Sequence, residues 1–329
     1  MPVRMRDVAE RAGVSVRTVS NVVSGYIHVS AATRERVQQA LDDLGYEMNV
    51  AAKSLKSGRT GIVALALPDL VTPYFAELAH AVVRAAERRR WTVLIEITGG
   101  VRDHELKVIT GGRTHLTDGV LLSPIALTSE PPVRPRPDVP LVLLGEHELD
   151  AHFDHVGIDN VAAARTAVGH LLDLGRRRVL ALGVAEALPA AGPRLQGYLD
   201  AHTERGLKPL KRFRVSAPIW TRSAGAAGID RALDAAGPPP DAVFAFNDTL
   251  ALGAMRAVLR RGLRIPEDLA IVGIDDVAEA EFTTPPLSSI APDLDEIARC
   301  ALELLDEQIT AGIDSRPHRE VVTGYRLAA

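Results

Sequence analysis

Residues 6–23 read RDVAERAGVSVRTVSNVV and contain two short helical patterns separated by a glycine. Apolar residues recur at helical spacing before Gly13, and glycine is the residue type that most often ends a helix. Ser15 is a suitable N-cap for the helix that follows. Two short helices joined by a tight glycine turn predict a helix-turn-helix. The residues expected to face its core are Val8, Ala9, Ala12, Val19, Val22 and Val23.

A third helical pattern follows between Ser30, a second candidate N-cap, and Gly45, a second candidate stop. Its apolar residues recur at i, i+3, i+4 and i+7, which is the spacing of one buried helix face. They are Val37, Ala40, Leu41 and Leu44. Periodicity alone also fits a three-helix bundle that binds no DNA, so both interpretations remain open at this point.

The charges divide unevenly along the chain. Residues 1–59 carry nine Lys/Arg and six Asp/Glu, whereas residues 60–329 carry twenty-nine Lys/Arg and thirty-six Asp/Glu. A basic segment gains affinity for DNA by releasing counterions from the phosphates, and an acidic segment is repelled. The distribution therefore favours DNA binding by the N-terminal segment.

The N-terminal residues also carry a long motif: Asp7-Val8-Ala9, Ala12-Gly13-Val14-Ser15, Thr18-Val19-Ser20, Val29-Ser30, Thr33-Arg34, Leu44-Gly45-Tyr46 and Ala52-Lys53-Ser54-Leu55. This motif resembles that of the LacI/GalR family of bacterial repressors. The resemblance continues towards the C-terminus and covers nearly the whole chain. It is carried there by Asp159-Asn160, Phe246-Asn247-Asp248 and Val272-Gly273-Ile274-Asp275-Asp276.

The resemblance implies an N-terminal all-α helix-turn-helix DNA-binding domain with a hinge helix. An α/β periplasmic-binding-protein-like domain of two doubly wound subdomains would follow. The expected domains are residues 1–48 for DNA binding, 49–60 for the hinge helix and linker, and 61–329 for effector binding and dimerisation. Within the last domain, the N-subdomain would comprise about 61–158 and 288–318, and the C-subdomain about 159–287 and 319–329.

By the same resemblance, the second helix should enter the major groove with Val16, Arg17 and Asn21 at base edges. Arginine can donate to guanine O6 and N7, and asparagine can pair with adenine. The alternative for Arg17 is a solvated charge that touches only phosphate. Thr18, Ser20, Thr33 and Arg34 should contact phosphate. The full set of predicted DNA contacts is Ser15, Val16, Arg17, Thr18, Ser20, Asn21, Thr33, Arg34, Ala52, Lys53, Leu55 and Lys56.

Residues 49–58, NVAAKSLKSG, combine an asparagine cap with a glycine stop. They allow only about two helical turns, and so short a helix is marginal alone in water. The resemblance implies a hinge helix that orders on operator DNA, pairs with its twin and inserts Leu55 into the minor groove. A flexible linker with an incidental leucine is the alternative. Met48 stands where the family often has proline, which predicts a less preorganised hinge.

Composition fits a cytoplasmic globular protein. The chain has 329 residues, 47% of them hydrophobic, and a single cysteine. No apolar segment near the N-terminus suits a signal peptide, and no run is long enough to span a membrane. We therefore expect no export, no membrane partner and no disulfide within the chain.

Strand and helix patterns alternate from Gly61 onward, which predicts parallel sheets covered on both faces. The first strand is followed by Pro68-Asp69-Leu70-Val71-Thr72-Pro73 rather than a glycine-rich phosphate loop. A dinucleotide-dependent enzyme is therefore disfavoured. The predicted strands are 62–67, 92–97, 119–122, 141–144, 179–182, 242–246 and 269–272, and a helix is predicted over 74–90.

Polar and aromatic residues near the predicted strand ends suit a polyhydroxylated ligand. Asp, Asn and Arg side chains can bond neighbouring hydroxyls, and an aromatic face can cover the C–H side of a sugar ring. The resemblance implies effector contacts at six of these positions, and Asp69 is added because it ends the first strand. The seven predicted contacts are Asp69, Tyr74, Phe75, Arg194, Trp220, Asn247 and Asp275.

Each of these contacts has an alternative interpretation. Phe75 could be a core residue, Trp220 part of a lid and Asp275 a helix cap. Gly145 lacks a side chain where family members often have a polar group, and residues 98–118 look short for the family. A nucleobase or another metabolite therefore stays open beside a sugar as the effector.

Taken together, the sequence predicts a transcriptional repressor rather than an enzyme. It would bind a near-palindromic operator as a homodimer, respond to a small-molecule effector, and need no cofactor or metal. A cytosolic ligand-binding protein without specific DNA binding and an α/β enzyme are the alternatives. The loop with His147, His152 and His155 could imitate a metal site, although such polar residues are more typical of a protein surface. Apolar residues in the segments 74–87 and 293–309 fit either the core or a dimer interface.

Overall fold

The computed structural model describes residues 3–23, 26, 28–46, 59–111, 116–127, 139–146, 153–313 and 317–329. The chain divides into two compact units, Met1–Thr60 and Gly61–Ala329. Met48 and the predicted hinge helix lie outside the described residues, as do His147 and His152.

The first unit contains the three predicted helices, α1 (Met5–Ala12), α2 (Val16–Val23) and α3 (Ala31–Leu44). Gly13 and Gly45 end α1 and α3 in the left-handed conformation, with φ of 62° and 59°. The Ser15 hydroxyl accepts a hydrogen bond from the Thr18 amide at 3.0 Å, and Ser30 caps α3 in the same way. The predicted helix-turn-helix is therefore confirmed, with both serine caps and both glycine stops.

The core of this unit consists of Val8, Ala9, Ala12, Val19, Val22, Val37 and Ala40. Val23, Leu41 and Leu44 were predicted to join them but are only partly buried at the margin of the core. Val23 and Leu44 end α2 and α3, and Leu41 lies in the last turn of α3, so these side chains have neighbours on one side only.

Two six-stranded sheets form the second unit among the described residues. The first sheet has the order β11-β5-β4-β3-β1-β2, and all of its strands are parallel. Its strands are β1 (Ile62–Leu67), β2 (Thr92–Ile97), β3 (Gly119–Leu122), β4 (Leu141–Leu144), β5 (Asp154–Ile158) and β11 (Glu320–Thr323). Helices α4 (Pro73–Glu87) and α10 (Leu294–Ala311) pack in one core cluster, and α5 (Arg102–Ile109) packs in another.

The second sheet has the order β12-β10-β9-β8-β6-β7, and only β12 is antiparallel to its neighbour. Consecutive residues of β6 are buried, as expected for a strand covered on both faces. The strands are β6 (Val179–Val184), β7 (Arg214–Ser216), β8 (Ala242–Ala245), β9 (Ala270–Ile274), β10 (Ser288–Pro292) and β12 (Tyr325–Ala328). The helices are α6 (Asn160–Asp173), α7 (Ala191–Glu204), α8 (Arg222–Asp234) and α9 (Asp248–Arg260).

The chain passes between the two sheets at three single residues. Asp159 separates β5 from α6, Asp293 separates β10 from α10, and Gly324 separates β11 from β12. The Asp293 amide donates to the Gly324 carbonyl at 3.2 Å, so two of these crossings are hydrogen-bonded to each other.

Two crossings differ from the predicted subdomain boundaries. Residues 288–318 were assigned to the first subdomain, but β10 pairs with β9 in the second sheet. Residues 319–329 were assigned to the second subdomain, but β11 pairs with β5 in the first sheet. The difference arises because one residue suffices for each crossing, so no linker composition marks it in the sequence.

The two helical segments that fit either the core or a dimer interface are α4 and α10, and their apolar residues lie in the core. Seven of the eight are at most 3% exposed: Leu78, Val82, Ala86, Ile297, Ala301, Leu304 and Leu305. Val83 is partly exposed. No helix in the described part of the chain is both long and apolar enough to cross a membrane.

Glycines set the close approach of α8 and α9, which makes their packing testable. A Cβ at Gly253 would lie 1.9 Å from the Arg222 carbonyl oxygen, and a Cβ at Gly192 in α7 would meet nothing within 4 Å. We expect Gly253→Ala to lower the free energy of unfolding by about 1–3 kcal/mol, because backbone must shift to admit the methyl group. Gly192→Ala is the matched control and should leave stability unchanged or slightly raised. Equal urea-unfolding midpoints for the two variants would contradict this packing.

Candidate functional site

The predicted base-reading residues share the exposed side of α2. Val16 is 45% exposed and Arg17 is exposed, while Ser20 and Asn21, one turn further along, are half-buried. Positions 16, 17, 20 and 21 follow the i, i+4 spacing of one helix face. The helix therefore presents a cation and two polar side chains together on the side away from its core.

The predicted phosphate contacts already have partners within the first unit. The Thr18 hydroxyl lies 2.9 Å from the Ser15 hydroxyl, and the Thr33 hydroxyl accepts from Ser30 at 2.8 Å. Arg34 Nη2 donates to the Tyr26 carbonyl at 2.9 Å. These bonds fix the side chains in place and leave further donors on the Arg34 guanidinium. The four hinge contacts, Ala52, Lys53, Leu55 and Lys56, lie outside the described residues.

A cavity of about 600 Å³ opens within the second unit at the carboxyl ends of the parallel strands. Ligands in open α/β sheets bind at this end. All seven predicted effector residues line it: Asp69, Tyr74, Phe75, Arg194, Trp220, Asn247 and Asp275. The structure thus brings together residues that are separated by as much as two hundred positions in the sequence.

Arg194 is the most heavily engaged residue of the cavity. Its side chain is buried, and its Nε donates to Asn160 Oδ1 at 2.7 Å. Its Nη1 donates to the Phe246 carbonyl. Its guanidinium carbon lies 5.3 Å from the centroid of the Trp220 ring, a distance at which a cation and an aromatic face attract.

The Trp220 ring is itself held in place. Its Nε1 donates to the Gly183 carbonyl at 2.9 Å, and its edge approaches the Phe246 ring with the centroids 6.0 Å apart. Tyr74 and Phe75 make a second edge-on pair, 5.4 Å apart, in the first turn of α4. Three aromatic side chains, Tyr74, Phe75 and Trp220, therefore line the cavity.

Two of the polar lining residues also fix the local backbone. Asn247 Oδ1 caps α9 by accepting from the Leu250 amide at 2.9 Å, a bond that does not use its amide nitrogen. Asp69 Oδ1 accepts from the amides of Val71 and Thr72 at 2.8 and 2.6 Å. These carbonyl and carboxylate groups hold the loops that follow β8 and β1 in position beside the cavity.

Asp275 directly follows β9 and is 7% exposed. Burial raises the pKa of its carboxyl group from 3.8 to about 7, even though the Arg194 charge acts in the opposite direction and lowers it. The neighbouring Asp248 accepts hydrogen bonds from the Ser289 hydroxyl at 2.7 Å and the Val277 amide at 3.0 Å. Burial and the neighbouring Asp275 raise the pKa of Asp248 as well.

The sequence did not identify Glu146 or Asn160 as lining residues, although both contribute to the cavity wall. Asn160 belongs to the Asp159-Asn160 motif, which could have indicated it. Glu146 follows Gly145 in a loop after β4, and nothing in that local pattern distinguishes it from a solvated carboxylate. Asn160 Nδ2 donates to Glu146 Oε2 at 3.0 Å, so the two act as a pair.

His155, the described member of the histidine loop, donates from Nε2 to the Gly145 carbonyl. Burial lowers the pKa of its imidazole, which favours the neutral ring. No group of His, Cys, Asp and Glu with metal-binding geometry occurs in the ranges that the structure describes.

Comparison with known proteins gives matches along nearly the whole chain. Residues 4–49 match the model for bacterial regulatory proteins of the lacI family, and residues 168–328 match a periplasmic binding protein-like domain. The transcriptional repressor CytR of Escherichia coli strain K12 is 32% identical over 306 residues, covering 93% of this chain and 89% of CytR. The transcriptional regulator CelR of Thermobifida fusca is 35% identical, covering 97% of this chain and 95% of CelR.

Solved structures extend the comparison to the complete fold. The Lac repressor dimer bound to operator and an anti-inducer has a TM-score of 0.84 and 25% identity, covering 100% of this chain and 98% of that one. A complex of CelR with cellobiose has a TM-score of 0.72 and 30% identity, covering 99% and 98%.

Asp275 gives the stability of the protein a specific pH dependence. Because its folded-state pKa is raised to about 7, the folded protein keeps a proton that the unfolded chain releases from about pH 4 upward. The stabilising contribution is present in acid and is lost as pH rises through about 7. We expect Asp275→Asn to lose less stability than the wild type between about pH 5 and pH 8, measured by urea unfolding. Asp295→Asn, an exposed control, should follow the wild-type profile, and a parallel profile for Asp275→Asn would refute the assignment.

Proposed function

The chain belongs to the LacI family of bacterial regulatory proteins and is a DNA-binding transcriptional regulator, and we propose that it acts as an effector-controlled repressor. In this proposal a homodimer binds a near-palindromic operator through two helix-turn-helix units. A small molecule in the cavity then changes the affinity for the operator. A coupling free energy of about 1–3 kcal/mol would give a roughly 5- to 150-fold response.

For the DNA complex, we assign base reading to Val16, Arg17 and Asn21 on α2. The exposed face of that helix supports the assignment, because only side chains that lie outside the core can reach a groove of the DNA. Phosphate contacts would come from Thr18, Ser20, Thr33 and Arg34, and Ser15 would be a further DNA contact. We retain the family-based proposal that Leu55 enters the minor groove, supported by Ala52, Lys53 and Lys56, with Met48 lowering the preorganisation of the hinge.

For the effector, we propose a sugar bound in the cavity by Asp69, Tyr74, Phe75, Arg194, Trp220, Asn247 and Asp275. The convergence of these seven residues on one cavity is the observation that carries the proposal. Aromatic walls beside carboxylate and amide groups suit a ligand with apolar C–H faces and polar edges. The relative CelR has been solved with cellobiose, which is consistent with this class. A nucleobase or another metabolite is the second candidate.

We further propose that the protein is not an enzyme and that it works in the cytoplasm. The relatives named above are transcriptional regulators, and a bacterial operator lies in the cytoplasm. The Asp275 carboxyl group lines the cavity, and the buried Asp248 carboxyl group accepts a hydrogen bond from the Ser289 hydroxyl at 2.7 Å. Their arrangement suits the binding of a ligand.

We propose a homodimer whose interface is not formed by the apolar residues of α4 and α10, since these lie in the core. Strand β2 is at the edge of the first sheet and exposes Ile95 by 40% and Ile97 by 49%. Phe282, in the second subdomain, is 83% exposed. An apolar edge strand and a bare aromatic ring are surfaces that soluble proteins usually cover.

The two roles can be separated by a pair of variants. Arg17→Ala should weaken binding to the operator by about 1–3 kcal/mol and relax preference at one base pair, with effector binding unchanged. Asp275→Asn should do the reverse: it should retain operator affinity and lose the response to effector. Operator affinity and the response to effector are both measured by fluorescence anisotropy. The DNA is the region upstream of the protein's own gene, at two salt concentrations, with and without candidate sugars.

Arg36→Ala is the control for Arg17→Ala, because it also removes one positive charge. Arg36 lies roughly 200° around α3 from the predicted phosphate contact Arg34, which is nearly the opposite side of the helix. If Arg17→Ala and Arg36→Ala weaken binding equally on all sequences, Arg17 contacts only phosphate or nothing. If DNA binding shows no sequence preference at all, the alternative of a ligand-binding protein without specific DNA binding gains support.

The dimer proposal is tested by light scattering on the variant that combines Ile97→Lys with Phe282→Ser. We expect its dimer to dissociate at concentrations where the wild type stays dimeric, because a buried lysine would lack a partner. Leu174→Ser, which alters a leucine 61% exposed at the end of α6, is the control and should leave the mass unchanged. An undiminished dimer in the double variant would place the interface elsewhere.

A further inference from the structure

The charges around the cavity are unbalanced towards negative. Among the described lining residues, Asp69, Glu146 and Asp275 carry carboxyl groups, and Arg194 is the only cation. Protonation of a carboxyl group would remove a negative charge without adding a positive one. A ligand that enters the cavity therefore meets at most one positive group.

The Arg194 charge is already surrounded by acidic groups. Burial lowers the pKa of Arg194, and Asp275, Tyr74, Glu146 and Asp248 act in the opposite direction and favour its charged form. Its Nε and one Nη1 hydrogen are committed to Asn160 and Phe246, and its face is covered by Trp220. The nearby carboxyl groups therefore offset the Arg194 charge, while its remaining N–H groups can donate to a ligand oxygen.

The orientation of Glu146 follows from the same hydrogen bonds. Arginine can only donate, so the Asn160 carbonyl oxygen must face Arg194 and the Asn160 amide nitrogen must face Glu146. Glu146 consequently presents an acceptor oxygen to Asn160 at 3.0 Å. This arrangement leaves the remaining acceptor sites of Glu146 at the cavity wall, where a ligand hydroxyl or amine could donate to them.

The loop that carries Glu146 is fixed from behind. Gly145 has a φ of 76°, a left-handed conformation that favours glycine, and its carbonyl accepts from His155. A Cβ at Gly145 would lie 3.8 Å from the Ser123 hydroxyl, an ordinary contact, so the backbone conformation rather than a lack of space favours glycine here. The next residue then supplies the polar group that Gly145 lacks.

We propose that Glu146 makes the cavity selective for uncharged, hydroxyl-rich ligands and excludes their phosphorylated forms. This inference rests on the proposed function of the cavity as the effector site and adds the charge class of the effector. A phosphate group would bring negative charge close to the partly buried Glu146 carboxylate, where repulsion is stronger than in water. Donor-rich, uncharged ligands would instead satisfy the exposed carboxylate and carbonyl oxygens.

The test is calorimetric titration of the full-length protein with glucose, ribose and adenosine, each beside its phosphate monoester, and with cellobiose. At least one uncharged compound should bind, and its monoester should bind at least about tenfold more weakly. Glu146→Gln keeps the size of the side chain and an acceptor for Asn160 but removes the charge. It should reduce that discrimination by about tenfold. Glu186→Gln removes an exposed carboxylate outside the cavity lining and should leave the ratio unchanged.

The inference is overturned if a monoester binds as tightly as its uncharged partner, if no uncharged compound binds, or if Glu146→Gln leaves the ratio as in the wild type. Asp275→Asn distinguishes the inference from the proposed function. Loss of monoester binding in that variant would keep the cavity as the effector site and reject only its charge selectivity. Survival of all binding in that variant would reject the cavity as the effector site.

Discussion

A buried guanidinium needs opposite charge and hydrogen-bond acceptors nearby, and the arrangement of the cavity around Arg194 depends on that requirement. Its partners come from different elements: Asn160 begins α6, Phe246 follows β8, and Trp220 follows β7. Asp275 follows β9 and adds an opposite charge. One side chain thus ties together the ends of several strands in the second sheet and reaches Glu146 of the first sheet through Asn160.

The sequence was informative where structure depends on neighbours in the chain. Ser15 and Ser30 cap helices and Gly13 and Gly45 end them because each acts within one helical turn. The cavity residues were found differently. The family resemblance indicated Arg194, Asn247 and Asp275, although the local pattern alone could not have shown that three distant segments meet.

Other features could not be predicted because they depend on contacts distant in sequence. Strands β10 and β11 belong to sheets other than those expected, since their pairing partners decide their place. The apolar residues of α4 and α10 have a spacing that fits either a core or a dimer interface. The packing of the two helices shows that these residues belong to the core. Glu146 was missed because its role depends on its contact with Asn160 and, through Asn160, with Arg194. These residues follow it by fourteen and forty-eight positions.

The three single-residue crossings limit how the two subdomains can move. Asp159 and Asp293 each cap the helix that starts after the crossing, and the Asp293 amide is bonded to Gly324. Each connection is a single residue long, and two of the three are hydrogen-bonded to each other, so little backbone is available for one sheet to move past the other. The cavity is lined by residues of both sheets, so a ligand held there contacts both sides of these three connections.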